Sequence, residues 1–113
     1  MPRYNKHDRF VRWWTQHNEQ IAEQTADKCA EYGSHDLYGI GHNIAKITNT
    51  KLSNAQAFEL GCLFYLVGKV ERAMSAAQRG DTASDDTWLD IAVYAQMVQA
   101  HRAGVWFNQI GDE

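Results

Sequence analysis

Apolar residues recur at every third or fourth position along most of this chain, and strict alternation of apolar and polar residues is absent. A spacing of three and four is typical of helices with one buried face, so the pattern predicts an all-α protein. Four helices are expected, near residues 5–31, 36–48, 53–79 and 84–103. The expected architecture is a four-helix, or with one further helix a five-helix, antiparallel bundle formed by a single domain, 1–113.

Residues with known capping preferences stand at the predicted helix boundaries. Ser53 is followed three positions later by Gln56, which is a capping-box pattern at the start of the third helix. Ser84 precedes two aspartates at the start of the fourth helix, where the helix dipole favours negative charge. Glycines suited to a helix end follow three of the predicted helices: Gly33, Gly80 and Gly104.

The third and fourth predicted helices hold most of the residues that suggest chemistry. Residues 60–67 are apolar almost all round, which predicts that the third helix is central and buried. The fourth helix has two stripes. The stripe expected to face the core contains Trp88, Ile91, Ala92, Ala95 and Val98. The other mixes polar and apolar groups, in the order Asp86, Asp90, Tyr94, Met97 and His101.

Asp90 is the carboxylate on which the site prediction depends. A helix that is apolar on both sides is expected to be sandwiched, which would cover Asp90 at least in part. A covered carboxylate needs a partner, because an unpaired charge away from water is costly. Lys69 and Arg72, on the preceding antiparallel helix, are the candidates for that pairing.

Composition and charge narrow the class of protein. The 113 residues are 44% apolar and 12% aromatic with a single proline, as expected for a folded helical domain. The net charge of -3 and the pI near 5.9 give no basic footprint, so no nucleic-acid partner is expected. No apolar run is long enough to cross a membrane, and no secretory leader pattern is visible, so a cytoplasmic location is expected.

A short arrangement in the second half resembles a known family. Lys69-x-x-Arg72, followed by Asp86-x-x-x-Asp90-x-x-x-Tyr94, is similar to the C-terminal half of small phage and bacterial MazG-like domains. These belong to the all-α nucleoside triphosphate pyrophosphohydrolase superfamily. The segment 31–33, Glu-Tyr-Gly, followed by a short Leu/Ile-rich helix, is also similar, and the resemblance covers about residues 19–97.

The resemblance implies a helical bundle, usually dimeric or tetrameric, that hydrolyses (d)NTP to (d)NMP and pyrophosphate with Mg²⁺. Carboxylates on facing helices are how bundles hold such a metal, and Mg²⁺ prefers hard oxygen ligands. By this resemblance Asp86 and Asp90 are the catalytic and metal-binding residues. Lys69, Arg72 and Tyr94 are the substrate-binding residues. Glu59, on the third helix, is the best candidate for a further metal ligand.

The chain departs from the family pattern at three positions. The family has Glu-x-x-Glu on one helix, where this chain has Lys69 and Arg72, and a glutamate where this chain has Thr87. Three arrangements are compatible with that change. Other carboxylates could complete the metal site, the two cations could bind phosphates directly, or catalysis could be lost. The candidate replacement carboxylates are Glu59, Glu71, Glu19 and Glu23, the last two being more typical of a solvated helix face.

Two functions from different classes therefore remain open. The first is a phage-borne enzyme that processes nucleotides. The second is a non-catalytic helical module that binds a protein or a nucleotide. The second is favoured by the missing carboxylates and by aromatic residues near both ends of the chain. A homodimer is expected in either case, because the central helix and the tail carry a surplus of apolar residues. The aromatic residues in question are Phe10, Trp13, Trp14, Trp106 and Phe107.

Overall fold

A computed structural model describes residues 5–32 and 36–111, and these residues form four α-helices without any strand. The helices are α1 (Lys6–Tyr32), α2 (Leu37–Ile47), α3 (Asn54–Gln78) and α4 (Asp85–Arg102). Every boundary lies within one residue of its predicted position, so the all-α prediction is confirmed. The predicted helix stop at Gly33 lies outside the described residues.

The predicted caps explain where α3 and α4 begin and where α3 ends. The Ser53 hydroxyl accepts a hydrogen bond from the Gln56 N–H at 3.1 Å, and the Gln56 side chain accepts one from the Ser53 N–H at 2.9 Å. The Ser84 hydroxyl accepts from the Thr87 N–H at 3.3 Å. Gly80 ends α3 in a left-handed conformation, with φ of 76°, which costs least at a glycine.

The described residues fall into two compact units, one formed by α1 and the other by α2, α3, α4 and the tail. In the second unit α3 packs against both α2 and α4. The α3–α4 pair is antiparallel, because Glu59 near the start of α3 contacts Arg102 at the end of α4, while Lys69 contacts Asp90 further back. α3 is therefore the central helix of its unit, as predicted.

Two glycines allow α2 and α3 to approach closely. A Cβ added to Gly41 of α2 would collide with the backbone of Ala57, and one added to Gly61 of α3 would collide with the backbone carbonyl of Leu37. Each helix thus presents a bare backbone to the other, so a side chain at either position would force the helices apart. From the sequence, Gly41 either weakens its helix or lets another helix or a ligand approach closely, and the structure shows the approach of a helix, whereas the role of Gly61 was not predicted.

The core of the second unit is centred on Phe58 and Cys62, which have no exposed surface. Burial raises the pKa of the Cys62 thiol to about 12, so this cysteine is a neutral core residue. The remaining buried apolar residues of the unit come from all three helices and the tail: Leu37, Tyr38, Ala45, Ala57, Ala76, Val93, Met97 and Trp106.

The predicted core face of α4 was wrong. Trp88 is 56% exposed, whereas Val93, Met97 and His101 are buried. α4 carries apolar residues on both sides, and its periodicity alone does not say which side meets α3. The ion pair between Asp90 and Lys69 shows that the mixed stripe is the side of α4 that faces α3.

The prediction that the central helix α3 is buried holds for one side of the helix only. α2 and α4 lie against one side of this helix, and neither of them covers the opposite side. Five large apolar residues there are about half exposed: Leu63, Phe64, Val67, Val70 and Met74.

Candidate functional site

The Lys69–Asp90 ion pair links the middle of α3 to the first half of α4. The Lys69 Nζ and the Asp90 Oδ2 are 2.9 Å apart, which confirms the predicted pairing. The two side chains are 21% and 40% exposed, so this is a half-covered pair and not a buried one. One turn before Lys69 on α3 and one turn after Asp90 on α4, Tyr65 and Tyr94 stack with ring centroids 5.5 Å apart. Together the two contacts set the register of the helix pair.

Glu59 does not join Asp86 and Asp90. Its carboxylate pairs with the Arg102 guanidinium, with Nε and Oε1 2.5 Å apart, and this hydrogen bond lowers the pKa of Glu59. Glu59 lies ten residues before Lys69 on α3, which is roughly 15 Å along the helix axis. The predicted set of three metal ligands is therefore not brought together.

No other group of carboxylates takes its place within the described part of the chain. Residues 5–32 and 36–111 contain no cluster of three His, Cys, Asp or Glu side chains that could hold a metal ion. Glu19 and Glu23 are exposed on α1, as expected for a solvated helix face. A protein-only metal centre of the family type is not formed by these residues.

His101, the last member of the mixed stripe, belongs to a closed cluster and not to a cleft. Its Nε2 is 2.7 Å from the Tyr38 phenol oxygen, which also accepts the Ile110 N–H at 2.9 Å. Its ring stacks on Phe58 with centroids 4.3 Å apart. Trp106 makes an edge-on contact with the same Phe58 ring, with centroids 5.4 Å apart. The sequence analysis missed this cluster, because its members come from four separate segments.

An open cleft of about 580 Å³ lies where the C-terminal half of α3 meets the first turn of α4. Arg72 and Arg79 both line it, seven residues apart and so on one face of α3. Both side chains are exposed, and neither forms an ion pair with another residue of the described ranges. The cleft also contains one carboxylate, that of Glu71, and the hydroxyl groups of Ser75, Thr82, Ser84 and Thr87.

The cleft gathers some of the predicted site residues and leaves others beside it. Arg72 lines the cleft, and Asp86 is exposed in the first turn of α4, next to the cleft residue Thr87. Asp90 and Tyr94 follow on α4 and are held by α3 through Lys69 and Tyr65. Arg79 was not predicted, although its spacing of seven from Arg72 is the signal that could have identified it.

Gly68 lines the cleft, although no packing contact requires a glycine at this position. It is exposed in the middle of α3, and a Cβ added there would meet no atom within 4 Å. A glycine in a helix interior costs roughly 0.5–1 kcal/mol relative to alanine. The unit therefore has the space to carry a side chain at this position of the cleft wall.

The chain matches no protein-family model, no curated protein and no solved structure. None of the helices in the two described ranges combines the length and apolar character needed to cross a membrane. The function therefore has to be argued from the cleft and its neighbours.

Proposed function

We propose that this protein recognises a nucleotide through the phosphate groups, which bind in the cleft lined by Arg72 and Arg79. The observation that carries the proposal is the pair of exposed guanidinium groups on one face of α3, in a cleft that also contains four hydroxyl groups. Arginine presents a planar set of donors that matches phosphate oxygens, and hydroxyl groups add further donors.

The spacing of the two arginines favours a polyphosphate over a single phosphate. Seven residues of α-helix separate Arg72 and Arg79 by roughly 11 Å along the axis. Flexible side chains of this length can reach two neighbouring phosphate groups of one nucleotide. The resemblance to MazG-like domains supports a (d)NTP as that nucleotide, in a phage-borne cytoplasmic protein.

Magnesium fits this cleft as part of a nucleotide complex. Mg²⁺ keeps several waters and needs only one or two protein carboxylates when phosphates supply other ligands. Glu71 in the cleft and Asp86 beside it are the residues that would hold it, and the ion would neutralise phosphate charge. Asp90, one turn after Asp86 on α4, would complete this carboxylate set, and its contact with Lys69 would fix the register of α3 against α4.

Titration calorimetry with a dNTP and Mg²⁺ tests the binding proposal. Arg72→Gln together with Arg79→Gln should weaken nucleotide binding by on the order of a hundredfold or more, because charge-assisted contacts to phosphate are lost. The control is Arg102→Gln, which removes an exposed arginine from the far end of α4. Binding that is absent in the wild type, or equal in the double variant and the control, would contradict the proposal.

Hydrolysis of the bound nucleotide is the enzymatic form of this proposal, and Asp90→Asn tests it. If the protein hydrolyses (d)NTP to (d)NMP and pyrophosphate, the variant should lose turnover while it still folds. Because the pair is half exposed, its removal should cost less than about 1 kcal/mol of stability. Pyrophosphate release and thermal melting of the same variant therefore report on chemistry and on folding separately.

The second candidate function is a non-catalytic binding module, and one observation favours it. The Asp90 carboxylate, which the family resemblance assigns to the metal, is neutralised by Lys69 at 2.9 Å. Under this alternative the wild type shows no pyrophosphate release with Mg²⁺ or Mn²⁺, and Asp90→Asn changes only the melting temperature. A wild type that neither hydrolyses nor binds nucleotide would leave a protein partner, for which the exposed Phe10, Trp13 and Trp14 of α1 are the candidate contacts.

A further inference from the structure

α3 carries a second apolar stripe on the side that faces away from α2 and α4. We call this stripe the outer seam. Its six positions alternate in spacing between three and four, and no charged residue occupies any of them. They are Leu60, Leu63, Val67, Val70, Met74 and Ala77.

The outer seam is unusually exposed for a continuous apolar stripe that faces water. Leu63, Val67, Val70 and Met74 are 51%, 56%, 45% and 59% exposed, and Phe64 beside them is 57% exposed. The strict three-four alternation is the pattern with which one helix meets another in a coiled-coil seam. A contiguous stripe of this kind marks an interaction surface, whereas single exposed apolar residues need no explanation.

We propose that the outer seam joins two copies of this chain, with α3 packed antiparallel against α3 of the second copy. The seam is self-complementary, because its spacing is the same in both directions along the helix. A two-fold axis midway between Gly68 and Lys69 places Val67 against Val70 of the second copy and Leu63 against Met74. The same axis places Leu60 against Ala77. Such an isologous contact closes on itself and gives a dimer.

The antiparallel direction pairs large side chains with small ones. At each end of the seam Leu60 of one copy fills the space left by Ala77 of the other. A parallel pair would instead place Ala77 on Ala77 and leave a gap at one end, where close packing is lost. It would also bring the two Glu71 carboxylates to the same level, whereas the antiparallel pair separates them.

The area of the outer seam is sufficient for a specific dimer. Five large apolar side chains that are each about half exposed present roughly 500 Å² per copy, at the upper range of the apolar patches found on monomers. Two copies would therefore bury roughly 1,000 Å² of apolar surface, before the flanking polar residues are counted. That is about the lower limit for a specific interface between proteins.

Charged substitutions at the centre of the seam test the contact. Val67→Lys and Val70→Glu should each raise the dimer dissociation constant by on the order of a hundredfold, because an unpaired charge is buried between the copies. Sedimentation equilibrium of the full chain over a range of concentrations measures this. Both side chains are about half exposed within one chain, so circular dichroism should show the same helix content as the wild type.

Mixing the variants tests the direction of the helices. An antiparallel seam places position 67 against position 70, so an equimolar mixture of Val67→Lys and Val70→Glu should recover the dimer. A parallel seam places position 67 against itself, so it would instead be recovered by mixing Val67→Lys with Val67→Glu. Recovery only in the second mixture would overturn the antiparallel register.

Val105→Lys is the matched control, since Val105 is a valine that is 71% exposed and lies beyond α4. It should leave the dimer unchanged. A wild type that is monomeric at tens of micromolar, or single variants that dimerise as well as the control, would overturn the proposal. A mixed complex with another protein in place of the dimer would do the same. None of these outcomes depends on nucleotide binding, so the dimer and the proposed function are tested separately.

Discussion

The two ends of the α3–α4 pair differ in almost every physical respect. At the closed end, where α3 begins and α4 ends, Phe58 is fully buried and His101 stacks on its ring. At the open end, where α3 ends and α4 begins, Arg72 and Arg79 are exposed along a cleft. The closed end also receives Tyr38 from α2 and Ile110 from the tail, so the difference comes from these added segments as well as from the side chains of α3 and α4.

The closed end shows what folding requires of buried polar groups. The Tyr38 phenol oxygen, the His101 ring and the Ile110 N–H satisfy one another, and no buried side-chain polar atom of the described residues lacks a partner. The open end has cations without counter-ions from the described chain, which water or a ligand can satisfy. We therefore expect stability to depend mostly on the closed end, whereas the exposed cations lie at the open end.

The largest effect is expected from removing the ring at the centre of the closed end. Phe58→Ala should reduce the free energy of unfolding by about 3–5 kcal/mol, because it loses buried apolar contact and leaves a cavity. Urea unfolding followed by circular dichroism measures the change. Phe107→Ala is the matched control, as Phe107 is 54% exposed, and should cost far less. Equal effects at the two positions would contradict the assignment of stability to the closed end.

A smaller effect is expected from removing a single oxygen atom from the same cluster. Tyr38→Phe should cost about 1–3 kcal/mol, because it removes the phenol oxygen that bonds both to the buried His101 ring and to the Ile110 N–H. The amide hydrogen of Ile110 should also exchange faster with solvent, which nuclear magnetic resonance measures directly. Unchanged exchange at Ile110 would mean that the phenol does not hold the tail.

These two ends also differ in how far the sequence predicts them. Helix boundaries and caps depend on residues a few positions apart, so Ser53 with Gln56 and Gly80 could be interpreted correctly. The Lys69–Asp90 pair was predictable because antiparallel helices fix which positions meet, and a covered carboxylate must be neutralised. The all-α fold follows from the same local information.

The features that the sequence does not predict depend on contacts between distant segments of the chain. Tyr38, Phe58, His101 and Ile110 meet only when α2, α3, α4 and the tail are assembled, and no spacing within one helix indicates that they do. The apolar residues on both sides of α4 left its orientation undecided. Glu59 was placed on the correct helix, but the register of α3 against α4 directs its side chain to Arg102 at the closed end.

The open end can be altered with a gain in stability. Gly68→Ala should raise the free energy of unfolding by about 0.5–1 kcal/mol, because alanine restricts the unfolded chain and its Cβ meets no atom within 4 Å. Gly68→Met should fold as well but fill the cleft and weaken nucleotide binding. Thermal melting and calorimetry on both variants measure these effects. A loss of stability in Gly68→Ala would mean that the glycine has a structural role.

The smallest effect is expected from the surface ion pair at the closed end, and pH reveals it. The hydrogen bond from Arg102 lowers the pKa of Glu59 below its ordinary value of 4.5. The ionised carboxylate is therefore favoured in the folded state, and its contribution to stability is present above about pH 4.5 and is lost as the pH falls through the lowered value. Glu59→Gln should lower the melting temperature by a few degrees at most at pH 7, since the Arg102 side chain is 70% exposed and water weakens the pair. The melting temperatures of variant and wild type should converge as the pH falls through the lowered pKa of Glu59. A difference that stays the same at every pH would show that Glu59 acts through packing and not through its charge, and nucleotide binding at the open end should be unaffected in either case.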